Sequence, residues 1–496
     1  MKKNLTKLIA AILLVASALA CLAGCGSSDQ NGQTTTEATA AATDGLKADG
    51  IPVSPLEPVD YEGHVLRICT HYMDGSSCTQ WEFFTEGYTG VAINDEIYER
   101  SIYISEKYNV DFEYSYSVSF AFDNCVTAMS AGEDQYDLIL PGVAKALEWA
   151  SRGFLTEVNS IPNLDLSADW WNQDFLEASS VEHKNYSLIG SMNILAYDSA
   201  AAGFFNKDVV ETYQMENPYD LVNNNQWTME KLFDMAKEVP GDHNGDSTMD
   251  WNDRYILSVN SYAALTFSYG ADIQLSSKND QDIPEILSLN PGFIDHFQNM
   301  VEKISKNPDV FYAEGYGTEN RTKYPQEMFF DDRIFFCDGT MANAAIYGRE
   351  DVNYGLVPLP KASSDQQNYG SFIHYGHSSV TVVPAAARNK ERTGHILEDI
   401  AYYSHYYLYP VYLEETVKTR YMRDPEASKN VDLVLNSICY DFVNMMNNEM
   451  IEDLRALMTG KDTDIASKFK SKQRTYHLAL KRMIEGIQKV NATLDY

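Results

Sequence analysis

Residues 130–142, SAGEDQYDLILPG, are predicted to contain the end of a helix, an apolar strand and the residues that end this strand. The run Tyr136-Asp-Leu-Ile-Leu140 is typical of a buried strand, and Pro141-Gly142 ends it. Further strands are predicted upstream at 65–70 and 110–114, with helices at 92–108 and 122–131. Because strands alternate with helices, the sequence predicts βαβ units and a parallel sheet, which is an α/β fold.

Four later segments continue this pattern in a definite order. They are GFFNKDVVETY (203–213), NQWTMEKLFDMAKEV (225–239), VNYGLVPLPK (352–361) and SSVTVVPAAARNKE (378–391). Together with residues 130–142 they resemble segments of bacterial extracellular solute-binding lipoproteins of ABC transporters, of the family 1-like, carbohydrate-uptake type. The similar segments follow the family order from about residue 65 to residue 427.

The resemblance implies a two-lobed type II periplasmic-binding-protein fold with a hinge between the lobes. Lobe one is expected to hold 60–198 and 357–410, and lobe two 199–356 and 411–496. A solute, expected to be an oligosaccharide, would lie in the cleft at the carboxyl ends of the strands, which agrees with the general rule for open α/β sheets. Hinge closure would then present the loaded monomer to the transmembrane subunits of an ABC importer.

The N-terminus has the features of an export signal. Lys2, Lys3 and Lys7 precede a mainly apolar run, 8–20, which is too short for a permanent membrane span. Leu22-Ala-Gly-Cys25 then resembles a lipobox, so residues 1–24 are predicted to be a lipoprotein signal peptide and Cys25 to carry the lipid. The alternative is an ordinary signal peptide with an incidental cysteine.

Residues 25–59 are predicted to be a flexible tether, because their first half is rich in Thr, Ala, Gly and Ser and poor in large apolar residues. The tether and lipid together predict a protein held at the extracellular face of the cytoplasmic membrane. No later segment has 18 consecutive apolar residues, so the membrane contact is expected through the lipid anchor alone.

The overall charge and the cysteines exclude several classes of partner and site. The formal charge of −33 argues against nucleic acid and polyanionic ligands. The cysteines beyond residue 25 are scattered and include no C-x-x-C pair, which argues against a zinc site. A disulfide between Cys69 and Cys78 stays open as an alternative to buried free thiols.

Residues 242–253 have the ligand spacing of an EF-hand loop, with oxygen-bearing residues at positions 1, 3, 5, 7, 9 and 12. We therefore predict a structural Ca²⁺ site. Position 6 is Ser247 instead of Gly, and position 12 is an Asp, which is more similar to a dockerin-type loop. The alternative is an acidic surface turn. The predicted ligands are Asp242, Asn244, Asp246, Thr248, Asp250 and Asp253.

Candidate solute contacts are chosen for chemistry and position. Sugars present apolar ring faces and hydroxyl edges, so their sites combine aromatic rings with carboxylates and amides. The candidates follow the first strand, the two lobe crossings, and the strand at 334–337, and for each the alternative is a packing role. They are Tyr72, Asp74, Trp81, Glu82, Tyr197, Asp198, Asp338, Asn343 and Tyr375, the last lying beside His374.

The sequence gives little support to an enzyme. Gly376-His-Ser-Ser-Val380 begins like a nucleophile elbow but has Val where Gly is required. Zinc-protease, Walker and Rossmann motifs are absent from the sequence. Many carboxylate pairs leave a lipid-anchored glycoside hydrolase open, as well as a surface polysaccharide-binding protein. A peptide or other non-sugar receptor on the same fold is a further alternative, because a fold does not determine its ligand.

Overall fold

A computed structural model of the chain describes residues 52–72, 82–83, 85–118, 122–287, 291–348, 352–375, 378–460 and 464–494. The leader, Cys25, and most of the tether therefore lie outside the described residues, as do Asp74, Cys78 and Trp81. Within the described part of the chain, none of the helices combines the length and apolar character that a membrane span needs.

The first sheet is parallel, as predicted, and forms the centre of lobe one. Its order is β2-β1-β3, with His64 opposite Val110 and Ile68 opposite Leu138. Residues 381–384 lie antiparallel beside β3, through the bridge between Ile139 and Val382. The strands and the helices that follow them are β1 His64–Tyr72, α1 Ala92–Tyr108, β2 Val110–Val118, α2 Asp123–Ala131, β3 Leu138–Ile139 and α3 Val143–Ser151.

Two short helices, α4 Gln173–Ser179 and α5 Ile194–Asp198, lead the chain out of lobe one. The second sheet forms the centre of lobe two and has the order β10-β4-β9-β5-β8. Here β5 is parallel to β8 and β9, whereas β4 is antiparallel to β9 and β10. In both sheets an antiparallel segment lies next to a parallel strand at one side. Residues 381–384 lie next to β3, and β4 lies next to β9. The strands are β4 Ala201–Asn206, β5 Tyr255–Val259, β8 Val310–Tyr312, β9 Ile334–Thr340 and β10 Tyr354–Val357.

Helices cover the second sheet, and a separate small hairpin follows the first group of them along the chain. The first group is α6 Lys207–Thr212, α7 Pro218–Asn223, α8 Met229–Met235 and α9 Ala263–Gly270. The hairpin consists of β6 Ser276–Lys278 and β7 Pro284–Ile286. After it come α10 Pro291–Met300, α11 Gly317–Phe330 and α12 Asn343–Tyr347. The close packing is visible at Gly203 of β4, where an added Cβ would lie 2.3 Å from the Phe336 ring.

The return of the chain to lobe one differs from the prediction. Residues 357–372 were expected in lobe one, but the Met229 amide donates to the Lys361 carbonyl (2.9 Å) on lobe two. Strand β11, Ser371–Phe372, then pairs with β12, Ile438–Cys439, and Ala200 forms a bridge with Ile373. The chain therefore returns to lobe one after Ile373, and the Val380 amide already donates to the Pro141 carbonyl of lobe one (2.9 Å). Local sequence patterns cannot show this, because it depends on pairing between distant segments.

A third crossing is helical. Helix α13, Lys390–Tyr403, continues through π-helical segments at Ser404–Leu408 and Val411–Tyr421. The Tyr403 hydroxyl donates to Glu96 of lobe one (2.8 Å), and the Tyr412 hydroxyl donates to Asp198 at the first crossing (2.8 Å). The predicted boundary at 410 thus falls inside one long helical segment that joins the lobes.

The last helices begin in lobe two, but the final one reaches lobe one. At its start, the ring centroid of Phe469 lies 5.8 Å from that of Phe293 in lobe two. At its end, Asn491 donates to the Val181 carbonyl (3.1 Å) and accepts from the Tyr186 hydroxyl (2.5 Å). The final helix is about 45 Å long at 1.5 Å per residue, so it can contact both lobes. The prediction that residues 411–496 belong to lobe two alone is therefore wrong for the end of the chain. These helices are α14 Pro425–Leu435, α15 Phe442–Met445, α16 Glu449–Gly460 and α17 Ile465–Leu494.

Candidate functional site

A polar pocket of about 260 Å³ lies at the carboxyl ends of β5, β8 and β9 in lobe two. Ligands commonly bind at this edge of an open α/β sheet. Sites for drug-sized ligands usually measure about 300–1,000 Å³, so this pocket can supply only part of an oligosaccharide site. Side chains that line it include Asn260, Arg321, Gln326, Asp338, Thr340, Asn343 and His374.

Asp338 and Asn343, both predicted from sequence, are brought together in this pocket. Asp338 is half-buried, and its enclosure raises the pKa of the carboxyl to about 7. The Asn343 Oδ1 accepts from the Thr340 amide (2.9 Å). A Cβ at Gly339 would lie 2.7 Å from this oxygen, so glycine permits the close approach. The pair presents a titratable carboxyl and an amide to a ligand.

A charged and aromatic network borders the pocket. The Ser261 hydroxyl donates to Glu314 (2.8 Å) and accepts from Arg455 Nη2 (3.0 Å), and Arg321 lies 3.9 Å from the Glu314 carboxylate. The Tyr262 ring lies 4.1 Å from the His374 ring. These residues, apart from His374, were not predicted, because no motif marks them and they come together from separate strands and helices.

Tyr375 lies behind the pocket. Its side chain is 4% exposed and stacks on His374, with 5.7 Å between ring centroids. Burial raises the pKa of its hydroxyl well above the usual value. In this conformation the residue supports His374, which lines the pocket, and does not line it itself.

Tyr197 and Asp198 lie at the first crossing, outside the pocket lining. The Tyr197 ring is 4.8 Å from the Tyr409 ring, and burial raises the pKa of its hydroxyl to about 12. Asp198 accepts from the Tyr412 hydroxyl, while its carbonyl accepts from the Ala342 amide (3.0 Å). Both residues therefore join the crossing to neighbouring segments.

Glu82 is also part of the hinge. It is 1% exposed, and its two carboxylate oxygens accept from the Leu195 amide (2.7 Å) and the Ser379 hydroxyl (2.5 Å). Burial raises the pKa of Glu82 to about 7. Because both oxygens are engaged by the protein, this geometry favours a hinge role over solute contact. Tyr72 is the last residue of β1, opposite Val118.

The loop at 242–253 meets the requirements of a calcium site only in part. Asp242 accepts from the Ser247 amide and Asp246 from the Thr248 amide (both 2.8 Å), so the backbone winds around these carboxylates. Asp253 is fully buried and accepts from the His243 and Asp250 amides. Although burial opposes ionisation, these amides hold the pKa of Asp253 below its usual value. Among the described residues, no three His, Cys, Asp or Glu side chains are grouped to hold a metal.

The cysteines in the described part of the chain are free thiols. Cys69, Cys125 and Cys337 are buried, and Cys439 is partly exposed. Since Cys69 is free, this structure does not contain the Cys69–Cys78 bridge that the sequence left open.

Comparison with solved structures decides the fold. The chain has the two-lobed fold of periplasmic binding proteins. A cyclo/maltodextrin-binding protein complexed with maltotetraose matches with a TM-score of 0.54 and 11% identity, covering 86% of this chain and 97% of that chain. An ABC substrate-binding protein from Listeria monocytogenes, in complex with cycloalternan, gives 0.53 and 12%, covering 88% and 100%. The GacH receptor of Streptomyces glaucescens, solved unliganded and with acarbose, gives 0.51 and 13%, covering 86% and 98%.

At these identities the likeness concerns the binding-protein fold alone. No protein-family model matches the sequence. No curated protein matches it either.

The hinge carboxyl of Glu82 should make stability depend on pH. Its pKa is about 7 in the folded protein against 4.5 for an ordinary glutamate, so the native state holds this proton more tightly. The proton on Glu82 therefore stabilises the folded protein by about 3 kcal/mol. This stabilisation is complete below pH 4.5 and is lost as the pH rises through 7. In urea titrations at pH 8, Glu82→Gln should have a higher free energy of unfolding than wild type. At pH 5 this gain should be smaller.

Glu238→Gln is the matched control, because Glu238 is exposed on the same chain. Its unfolding free energy should follow wild type at both pH values. Equal pH profiles for Glu82→Gln and wild type would contradict the assignment of a protonated carboxyl to the hinge.

Proposed function

We propose that the protein binds an oligosaccharide between its lobes and delivers it to an ABC importer. The observation that carries this proposal is the polar pocket at the carboxyl ends of β5, β8 and β9, next to the hinge residue His374. Its carboxyl and amide groups suit sugar hydroxyls. The binding proteins of similar fold that were solved with maltotetraose, cycloalternan and acarbose support the same solute class.

Binding is the whole activity in this proposal, without covalent chemistry. Asp338 accepts from a sugar hydroxyl, most strongly when ionised, and the Asn343 amide donates to another. Closure about the three crossings then covers the solute with lobe one, and the closed form is the one that the importer's transmembrane subunits recognise.

Substitution of the pocket carboxyl tests the proposal. Maltotetraose, cycloalternan and acarbose are screened by thermal unfolding, since a ligand of the native state raises Tm. With a sugar that raises Tm, Asp338→Asn should weaken binding roughly 10- to 100-fold, because it loses a charge-assisted hydrogen bond of about 1.5–3 kcal/mol. Wild-type affinity should fall as the pH drops from 8 to 6, through the pKa of about 7, whereas the variant should be insensitive.

Asp234→Asn serves as the control, because Asp234 is an exposed carboxylate of α8 outside the pocket. It should leave both affinity and pH profile unchanged. The proposal fails if none of the three sugars raises Tm, and a sugar that is cleaved during the assay would indicate a hydrolase.

We further propose that Cys25 is lipidated and holds the protein at the extracellular face of the cytoplasmic membrane. Support comes from the basic, apolar and lipobox segments that occur in order at residues 2–25. Intact-mass measurement of the membrane fraction should find a lipid on Cys25 of the wild type and of Cys21→Ser, and none on Cys25→Ser. A wild-type mass without lipid would exclude this anchor.

Finally, we propose that loop 242–253 binds one structural Ca²⁺. Support comes from the ligand spacing and from the backbone wound around Asp242 and Asp246. Calcium at about 1 mM, in the range of extracellular sites, should raise the wild-type Tm, and Asp246→Ala should abolish the rise. Glu238→Ala should retain it. An unchanged wild-type Tm would mean that Asp253, bound to backbone amides, closes the loop without metal.

A further inference from the structure

A second cavity, of about 640 Å³, lies in lobe two away from the strand ends that form the pocket described above. Its walls come from the end of α7, the end of α9, residues 367–370, α14 and β12. It shares no lining residue with the pocket at Asp338. Its volume falls in the range of about 300–1,000 Å³ that is usual for ligand sites.

The rim of this cavity is rich in amides. Gln274, Asn368 and Asn436 are exposed there, and each amide has both hydrogen-bond donors and an acceptor. Asn223 also lies at the rim, where it donates to Glu426 and accepts from Lys429. The charges at the rim are opposite in sign, from Asp272 and Lys429, and so favour neither an anion nor a cation. This chemistry suits a neutral ligand with many hydroxyl groups.

The inner wall is apolar and firmly held. Tyr269 is 2% exposed, and a Cβ at Gly370 would lie 2.0 Å from its carbonyl oxygen. Leu433 lies one helical turn after Lys429 on the same face of α14. This face of the helix is therefore polar at the rim of the cavity and apolar inside it. An apolar wall below an amide rim can contact both the ring face and the hydroxyl edge of a sugar.

The cavity also borders the hinge. Ile438 and Cys439, which line it, form strand β12 and pair with β11. The Ser371 amide donates to the Ser437 carbonyl (2.9 Å), and the Ser371 hydroxyl donates to the Ala201 carbonyl (2.7 Å). A ligand here would therefore reduce the exchange of hinge amides.

We propose that this cavity is a second binding site for a neutral oligosaccharide, separate from the cleft. The proposal does not depend on the function proposed for the cleft, because the two sites share no residue.

Hydrogen exchange measured by mass spectrometry, on the full chain, tests the proposal. The probes are maltotetraose, cellotetraose and xylotetraose, each at millimolar concentration. At least one should protect segments 366–372 and 436–440, and should do so equally in Asp338→Asn. The double variant Gln274→Ala/Asn436→Ala should lose this protection, with affinity weakened about 10-fold or more from two lost hydrogen bonds.

Asn224→Ala is the matched control, because this exposed amide follows α7 immediately outside the cavity. It should retain the protection, and both variants should retain the wild-type Tm. The inference is overturned if none of the three sugars protects these segments, or if Asp338→Asn alone removes the protection. If Asp338→Asn leaves the affinity for every sugar unchanged while the double variant weakens it, the cleft function fails and this inference stands.

Discussion

The structure depends on backbone pairing between chain segments that are far apart in sequence. Ala200 bridges to Ile373, and the His374 amide donates to the Ser199 carbonyl (2.9 Å). The third, helical crossing joins the same region through the Tyr412 hydroxyl, which donates to Asp198 at the first crossing. Because buried polar groups need partners, the three crossings are held side by side. This arrangement turns the strand ends of lobe two towards the hinge.

Buried polar side chains complete the hinge and explain why several predicted solute contacts lie elsewhere. Glu82 joins the loop after β1 to the first crossing and to the return segment, and Asp198 joins that crossing to the π-helical segment. A buried polar group without partners costs stability, so these side chains are engaged by the protein. Asp338 and Asn343, which line the pocket, follow a strand instead.

The final helix adds a constraint on motion between the lobes. Its start packs on Phe293 of lobe two, and its end is bonded to Val181 and Tyr186 of lobe one. A helix is stiff along its length, so hinge closure has to rotate about it or shift one of its contacts. The absence of a Cβ at Gly486, which would lie 2.8 Å from the Ser151 carbonyl, lets this helix lie close against α3. The helix thereby packs on both lobes along its length.

The sequence by itself determined the α/β class and many elements. The isoleucines of 92–108 repeat at helical spacing and form α1, and the run at 136–140 contains β3. Such patterns are local, because they reflect which side of one element is buried. The sequence also predicted Asp338 and Asn343 as site residues, because they follow a strand. Tertiary structure decided the rest: the return near 373, the reach of the last helix into lobe one, the engagement of Glu82, and the meeting of Asn260, Arg321 and His374. Each of these depends on contacts between residues distant in sequence, which no local pattern records.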